Sequence, residues 1–380
     1  MPALIGIGCR GMRDLRLPYD DSLNIGLLSK VFERKRISNC YKYFWFQAIL
    51  ELLSDKKVRF SYDEILNQMI EDAWYMVTEY KLRLGPCNTT DNLEEVVKYI
   101  FSTTEISSTA KKGTVIQYLE TSDDPVIQRY KKNLIVNVPY CLQSPFYTSI
   151  KNLGRSKINE INTQKHLLYY FVSAEGTNSQ LEMNEEWVSY LIHNRDILRD
   201  WVKYNLIGYL QDRNPSVPGI VEKIIKPEKR DLRRVREYWK TIIEIEPGIT
   251  EIYEKTVMKD KEISIDHFVP WQYVAHDELW NLSPTTKSIN SQKGNQLPNF
   301  KDYFGKLSLL EYRAYKASYK YENVKEKYKI CLDHHVNNLD VRSSLYQADL
   351  DKSMFETRLF NIIKPVYDSA RLSGFTEWIH

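Results

Sequence analysis

Ile265-Asp266-His267-Phe268-Val269-Pro270-Trp271, then Leu279-Trp280-Asn281-Leu282-Ser283-Pro284, then Ile289-Asn290-Ser291-Gln292-Lys293-Gly294-Asn295-Gln296-Leu297-Pro298: the reading of this 380-residue chain turns on these three short segments. Within them an acid, an imidazole, two amides and a lysine fall in a fixed order. Asp266 and His267 open a D-H-x-x-P pattern, Asn281 stands 14 positions after His267, and Asn290 stands 24 positions after Asp266. An Asp-His pair alone says little. The ordered set, closed by Lys293 and Leu297-Pro298, is much harder to assemble by chance.

The set resembles the core of the HNH (ββα-metal) endonuclease family, in the variant whose third signature residue is Asn rather than His. The HNH domain of RNA-guided CRISPR effector nucleases is of that kind. The resemblance implies a β-hairpin with Asp266 and His267 on its first strand and a following helix that supplies Asn290. It implies Asp266 and Asn290 as ligands of a divalent metal and His267 as the group that activates water. It covers residues 265–298 and speaks to chemistry rather than to the remainder of the chain.

The same residues make chemical sense for phosphodiester hydrolysis. That reaction needs an activated water, a cation against the charge on the five-coordinate phosphate, and help for the leaving oxygen. A neutral imidazole can take the water's proton at cellular pH. A carboxylate and an amide carbonyl are hard oxygen donors, suited to Mg²⁺ or Mn²⁺ rather than zinc. Neighbours on a strand point to opposite faces, so Asp266 and His267 serve one centre only if the strand bulges or ends there. Asn281 is expected to bridge backbone groups that hold the loop between the strands. Lys293, one helical turn past Asn290, is expected to face the phosphate as a second catalytic group. No cysteine lies between Cys141 and Cys331, so packing, with Trp271, Trp280 and Phe300 as candidates, must hold this core.

Bulk properties set outer limits. With 43% hydrophobic residues and a formal charge of +3, the chain suits a globular protein of two or three domains, and the overall charge neither requires nor forbids a polyanionic partner. The five cysteines form no CxxC pair, which argues against a disulfide framework or a zinc ribbon and for a reducing, cytoplasmic setting. No apolar run approaches the length of a membrane span. The 27 tyrosines are read mainly as helix-interface residues.

Around the motif the pattern is largely helical. Residues 41–53 are an apolar run too long for a typical strand, and Ser61 with Glu64 forms a capping box ahead of a helix expected to reach about Leu84, before Gly85-Pro86. A helical piece is expected near 93–101, a strand at 134–138, and one long helix from the N-cap Asn184 to before Asn214-Pro215. Residues 216–219 are the expected domain boundary. A basic helix starting near Pro227 should follow, with eight basic residues over 223–240 against Glu228, Asp231 and Glu237. Residues 244–262 read as acidic and irregular, and helices over 306–328 and 344–372 close the chain, the last interrupted or kinked at Pro365.

Three further features carry less. His276 reads as a loop residue, and His334-His335 lacks a third ligand at metal spacing. Arg34-Lys35-Arg36 is a short basic run far from the motif.

The expected architecture is therefore mainly α with a small α+β insert: a helical recognition or regulatory region over 1–219, an HNH nuclease domain over 220–335 with its core at 263–300, and a C-terminal helical segment over 336–380. The expected activity is metal-dependent cleavage of DNA in bacterial restriction or anti-phage defence. A nuclease subunit active only within a multiprotein assembly and an RNA-cleaving toxin remain as alternatives. Lys229, Arg230, Arg233, Arg234 and Arg236 are the expected nucleic-acid contacts, and the expected partners are DNA together with a protein subunit or a second copy, with no membrane.

Overall fold

The computed structural model describes residues 16–147, 150, 153–173, 175–224, 231–259 and 263–379. Contacts within the chain separate two compact units, Met1–Asn214 and Pro215–His380, so the division falls at Asn214-Pro215, just ahead of the expected linker. The fold is mainly α with two small sheets. Among the described residues no helix is long and apolar enough to cross a membrane.

In the first unit the apolar run becomes the helix Tyr41–Leu52, whose Tyr43, Phe44, Trp45, Phe46, Ile49 and Leu50 are all buried. Ser61 caps the next helix, Tyr62–Thr78: Glu64 N–H donates to Ser61 Oγ at 3.1 Å and Ser61 N–H to Glu64 Oε2 at 2.8 Å, both halves of the capping box. This helix stops short of Leu84. Lys81 takes a positive φ of 54°, Leu82 N–H closes onto Met76 O, and Leu84 N–H is taken by the Glu94 carboxylate, so the apolar residues after Thr78 are buried as turn and loop.

Two further expectations are corrected, and one small sheet was not foreseen. Residues 134–138 form no strand: Asp124 caps the helix Pro125–Leu134, with Pro125 in its first turn, and Val138–Cys141 is a short helix. The long helix after Asn184 is two, Glu185–His193 and Arg195–Arg213, parted at Asn194. Three short strands, β1 (Arg59–Ser61), β2 (Tyr169–Phe171) and β3 (Gln180–Met183), pair antiparallel in the order β1-β3-β2, a sheet too short to show as alternation in the sequence.

The second unit contains the motif. β4 (Ser264–His267) pairs antiparallel with β5 (Leu282–Thr285), Asp266 opposite Ser283 and His267 opposite Leu282. The helix Lys287–Lys293 follows, its first turn capped by Thr286 Oγ1, which accepts from Ile289 N–H at 3.2 Å. Gly294 ends it at φ 51° and ψ −125°, a conformation that a Cβ would strain. The helix Arg233–Ile245 buries Val235, Tyr238, Trp239 and Ile242, and Trp239 Nε1–H donates to Leu282 O at 3.1 Å, pinning β5 to it.

Phe300–Lys320, Glu322–His335 and Lys352–Leu372 complete one apolar core with the hairpin. Phe355, Leu359, Ile363 and Tyr367 lie within it, so residues 336–380 belong to this unit's core. Pro365 sits inside the uninterrupted helix Lys352–Leu372.

Candidate active site

β4 ends at His267, with both Asp266 and His267 still in register with β5. Asp266 turns to one set of partners and His267 to another. The Asp266 carboxylate is 2% exposed; its Oδ2 accepts from Tyr253 Oη at 2.5 Å and its Oδ1 from Lys293 Nζ at 2.9 Å. Lys293, itself fully enclosed, also donates to the His267 carbonyl at 2.7 Å. Lys293 thus does not stand free to face a phosphate, as its spacing suggests. It closes an internal ion pair and ties the last helical turn to the end of β4.

Removing one member of such a pair leaves a charge in a site that water cannot reach, which costs about 3–5 kcal/mol. Burial, reinforced by the Asp266 charge and its hydrogen bond, pushes the Tyr253 phenol well above its ordinary pKa, so it stays protonated and donates. Tyr253 is placed by a loop around the buried Glu251 carboxylate, which accepts backbone N–H groups of Tyr253, Glu254 and Thr256 at 2.6, 2.7 and 2.9 Å.

The His267 imidazole is 5% exposed, and its Nε2 lies 2.8 Å from Asp277 Oδ1. Asp277 is held in turn through its carbonyl, which accepts from His335 Nδ1 at 2.8 Å, while Glu278 beside it accepts the N–H groups of Asn337. His335 is therefore a buried prop for this loop. His276, the loop histidine, is exposed and joins none of these contacts.

Asn290 Nδ2 donates to Ser264 Oγ at 2.8 Å and to Ile265 O at 3.2 Å, which lays the amide along β4 beside Asp266. Its Oδ1 accepts no hydrogen bond among the described residues. Asn281, fully buried, braces the connection in both directions: Val269 N–H donates to its Oδ1 at 2.7 Å and its Nδ2 donates to Val269 O at 2.9 Å. The structure thus joins Lys293 to Asp266 and to the His267 carbonyl, and it ties Asn290 to β4 at Ser264 and Ile265 and Asn281 to Val269 just beyond it.

The basic segment is only partly within the described residues; Lys229, Arg230 and Pro227 fall outside them. The helix begins at Arg233 and buries its apolar face, so Arg233, Arg234 and Arg236 lie on the opposite, more accessible side. Arg233 forks onto Asp231 at 2.8 and 2.7 Å, and Asp231 is held well below the usual carboxylate range by that guanidinium.

Sequence reasoning missed Tyr253, Asp277 and His335. Tyr253 sits in the stretch read as irregular, Asp277 lies next to the histidine that drew attention, and His335 is 58 positions from the carbonyl it holds. No spacing rule links them.

Among the described residues no group of three or more His, Cys, Asp or Glu side chains is placed to hold a metal ion. Asp266 and Asn290 supply hard oxygen donors, and a divalent ion on Asp266 would compete with the Lys293 ammonium for a carboxylate that is 2% exposed. Each Asp266 oxygen accepts one hydrogen bond here and retains a lone pair, and Asn290 Oδ1 is open.

Residues 250–299 match the HNH endonuclease family model, a span that takes in Tyr253, Asp266, His267, Asp277, Asn281, Asn290 and Lys293. This segment of the second unit is similar to HNH endonucleases. No curated protein and no solved structure matches the chain.

Proposed function

We propose that the second unit is a divalent-metal-dependent endonuclease that hydrolyses DNA phosphodiester bonds, with β4, β5 and the helix Lys287–Lys293 serving as its ββα core. The observation that carries the reading is one hairpin and helix that present an imidazole paired with a carboxylate, a buried carboxylate and an amide oxygen that accepts no hydrogen bond among the described residues, in a segment that matches a nuclease family.

His267 takes the proton of the attacking water. The Asp277 carboxylate, 2.8 Å from Nε2, steadies the imidazolium that forms. The water oxygen forms the new bond to phosphorus while the ester oxygen departs with the bonding electrons and takes a proton from solvent, and the imidazolium later returns its proton to solvent. Asp266 and Asn290 would hold the divalent ion, which would supply charge neutralisation for the reacting phosphate. Lys293 and Tyr253 fix the Asp266 carboxylate, and Asn281 fixes the turn after His267. By analogy with stand-alone bacterial HNH proteins, restriction or anti-phage defence is the proposed setting.

The test is purified full-length protein with supercoiled plasmid and, in parallel, RNA. Nicking of the plasmid with Mg²⁺ or Mn²⁺, abolished by EDTA, is expected; cleavage of RNA alone, or of neither substrate, overturns the reading.

Asp277 acts as a positioning residue. Asp277→Asn should lower kcat far more than it raises KM. Without the charge that favours imidazolium, the acidic limb of the kcat profile should move to lower pH, and Asp277→Glu should restore part of the rate. An unmoved pH limb would reduce Asp277 to a structural support.

The accessible basic face of the helix Arg233–Ile245 is proposed to meet backbone phosphates. Reversing Arg233, Arg234 and Arg236 to Glu should weaken DNA binding without regard to sequence and flatten the salt dependence of log K by about 0.9 per lost phosphate contact. A slope equal to wild type would place this face away from the nucleic acid.

A further inference from the structure

The first unit holds a cavity of about 450 Å³ that the nuclease chemistry does not use. Its wall brings together the short basic run Arg34–Arg36, the start of the helix Tyr41–Leu52 and the segment around Asn133 and Asn137. Lys35, Arg36 and Lys42 line it, and no aspartate or glutamate does. Glu33, outside the lining, touches Lys35 at 3.3 Å and Arg36 at 3.4 Å, which leaves the cavity itself net positive.

Lys42 is the decisive residue. It is 8% exposed, lines the cavity, and makes no hydrogen bond or ion pair among the described residues. A buried ammonium without a counter-charge is costly, and chains almost always pair such a group or leave it in water. Burial lowers its pKa to about 8, with Cys141 and Arg36 as its charged or titratable neighbours, and an anion against it would favour the charged form.

A second feature points the same way. Tyr41 and Lys42, the first two residues of the helix Tyr41–Leu52, are in the wall; Tyr41 N–H is taken by Asn39 Oδ1 at 3.1 Å, Cys40 adds no side-chain cap, and the positive end of the helix favours negative charge there. The remaining polar lining consists of amides and hydroxyls, including Asn39, Asn137 and Ser144, which suit phosphate oxygens, sugar hydroxyls or base edges. The volume falls within the range of small-molecule sites and exceeds what a single inorganic ion fills.

We propose that this cavity binds a phosphate-bearing small molecule of nucleotide size, with its phosphate against Lys42, Arg36 and the start of the helix Tyr41–Leu52. The proposal stands whether or not the second unit cuts DNA, because it rests on residues of the first unit alone.

Calorimetric titration of the full-length protein with adenosine 5′-monophosphate, guanosine 5′-monophosphate, adenosine, inorganic phosphate and a single-stranded oligonucleotide tests it, in wild type and in Lys42→Met and Arg36→Gln. Met keeps the apolar stem of Lys42 and removes an unpaired buried charge, so the variant should fold at least as stably as wild type. Either mononucleotide should bind wild type and raise its melting temperature, bind each variant at least about tenfold more weakly, and bind more tightly than adenosine. Inorganic phosphate binding lost in Lys42→Met supports the same site with the phosphate as its main determinant. The proposal is overturned if no nucleotide or phosphate binds, if Lys42→Met binds them as tightly as wild type, or if only the oligonucleotide binds.

Discussion

His267→Ala is expected to remove DNA cleavage while leaving the affinity for DNA within about twofold of wild type. General-base catalysis of this type is typically worth 10² to 10⁴ in rate. The larger figure applies where the imidazole is also oriented by a carboxylate, as His267 is by Asp277 at 2.8 Å. Binding should survive because the phosphate contacts proposed for Arg234 and Arg236 lie on a different element, the helix Arg233–Ile245. Plasmid nicking measured beside a binding isotherm separates the two. Turnover at the wild-type rate by pure His267→Ala protein would remove the imidazole from the mechanism.

Lys293→Met should have the largest effect on folding. The ammonium is wholly buried and makes two contacts, to the Asp266 carboxylate at 2.9 Å and to the His267 carbonyl at 2.7 Å. Its loss strands a carboxylate in the interior with Tyr253 alone as donor, at a cost of about 3–5 kcal/mol. For a unit of this size each kcal/mol lowers the melting temperature by roughly 2–4 °C, so a fall of at least about 6 °C is expected.

The double change Asp266→Asn with Lys293→Met should recover more than half of that loss, since the uncompensated charge is gone and volume is nearly kept. Neither variant should cleave DNA. A melting temperature for Lys293→Met equal to wild type would show that the pair contributes nothing to holding β4 against its helix.

Much of the site could be read from the residues because its chemistry is compressed into one short segment. The acid, imidazole and amides follow one another at spacings that a hairpin and a helix turn into proximity, and the match of residues 250–299 to a nuclease family lies on that same segment. Asn281 is legible as a brace for the same reason: it bonds both backbone groups of Val269, 12 positions away. Lys293 illustrates the limit. Its position one turn after Asn290 is evident, but spacing cannot say whether an ammonium faces solvent, a phosphate or an internal carboxylate. That choice belongs to the packing around Tyr253 and β4.

The helices divide along similar lines. The Ser61 and Glu64 capping box and the apolar run ending at Leu52 are local signals, and they give local structure. The apolar residues at 134–138 could serve a strand as well as a helix end; Asp124 and Pro125, ten residues upstream, start a helix that runs into them. Pro365 does not break the helix Lys352–Leu372, whose Leu359, Ile363 and Tyr367 are buried on both sides of it. Tertiary burial outweighs a local penalty of about 3 kcal/mol.

The sequence by itself determined which groups could do the chemistry, because residue type and short-range order follow directly from the chain. Only the tertiary structure decided that Asp277 holds the His267 ring, that His335 holds Asp277, and that Lys42 lines a cavity without a partner among the described residues. Those pairings join residues brought together by packing rather than by spacing, and burial, which sets the strength of every charge among them, is a property that no stretch of sequence carries alone.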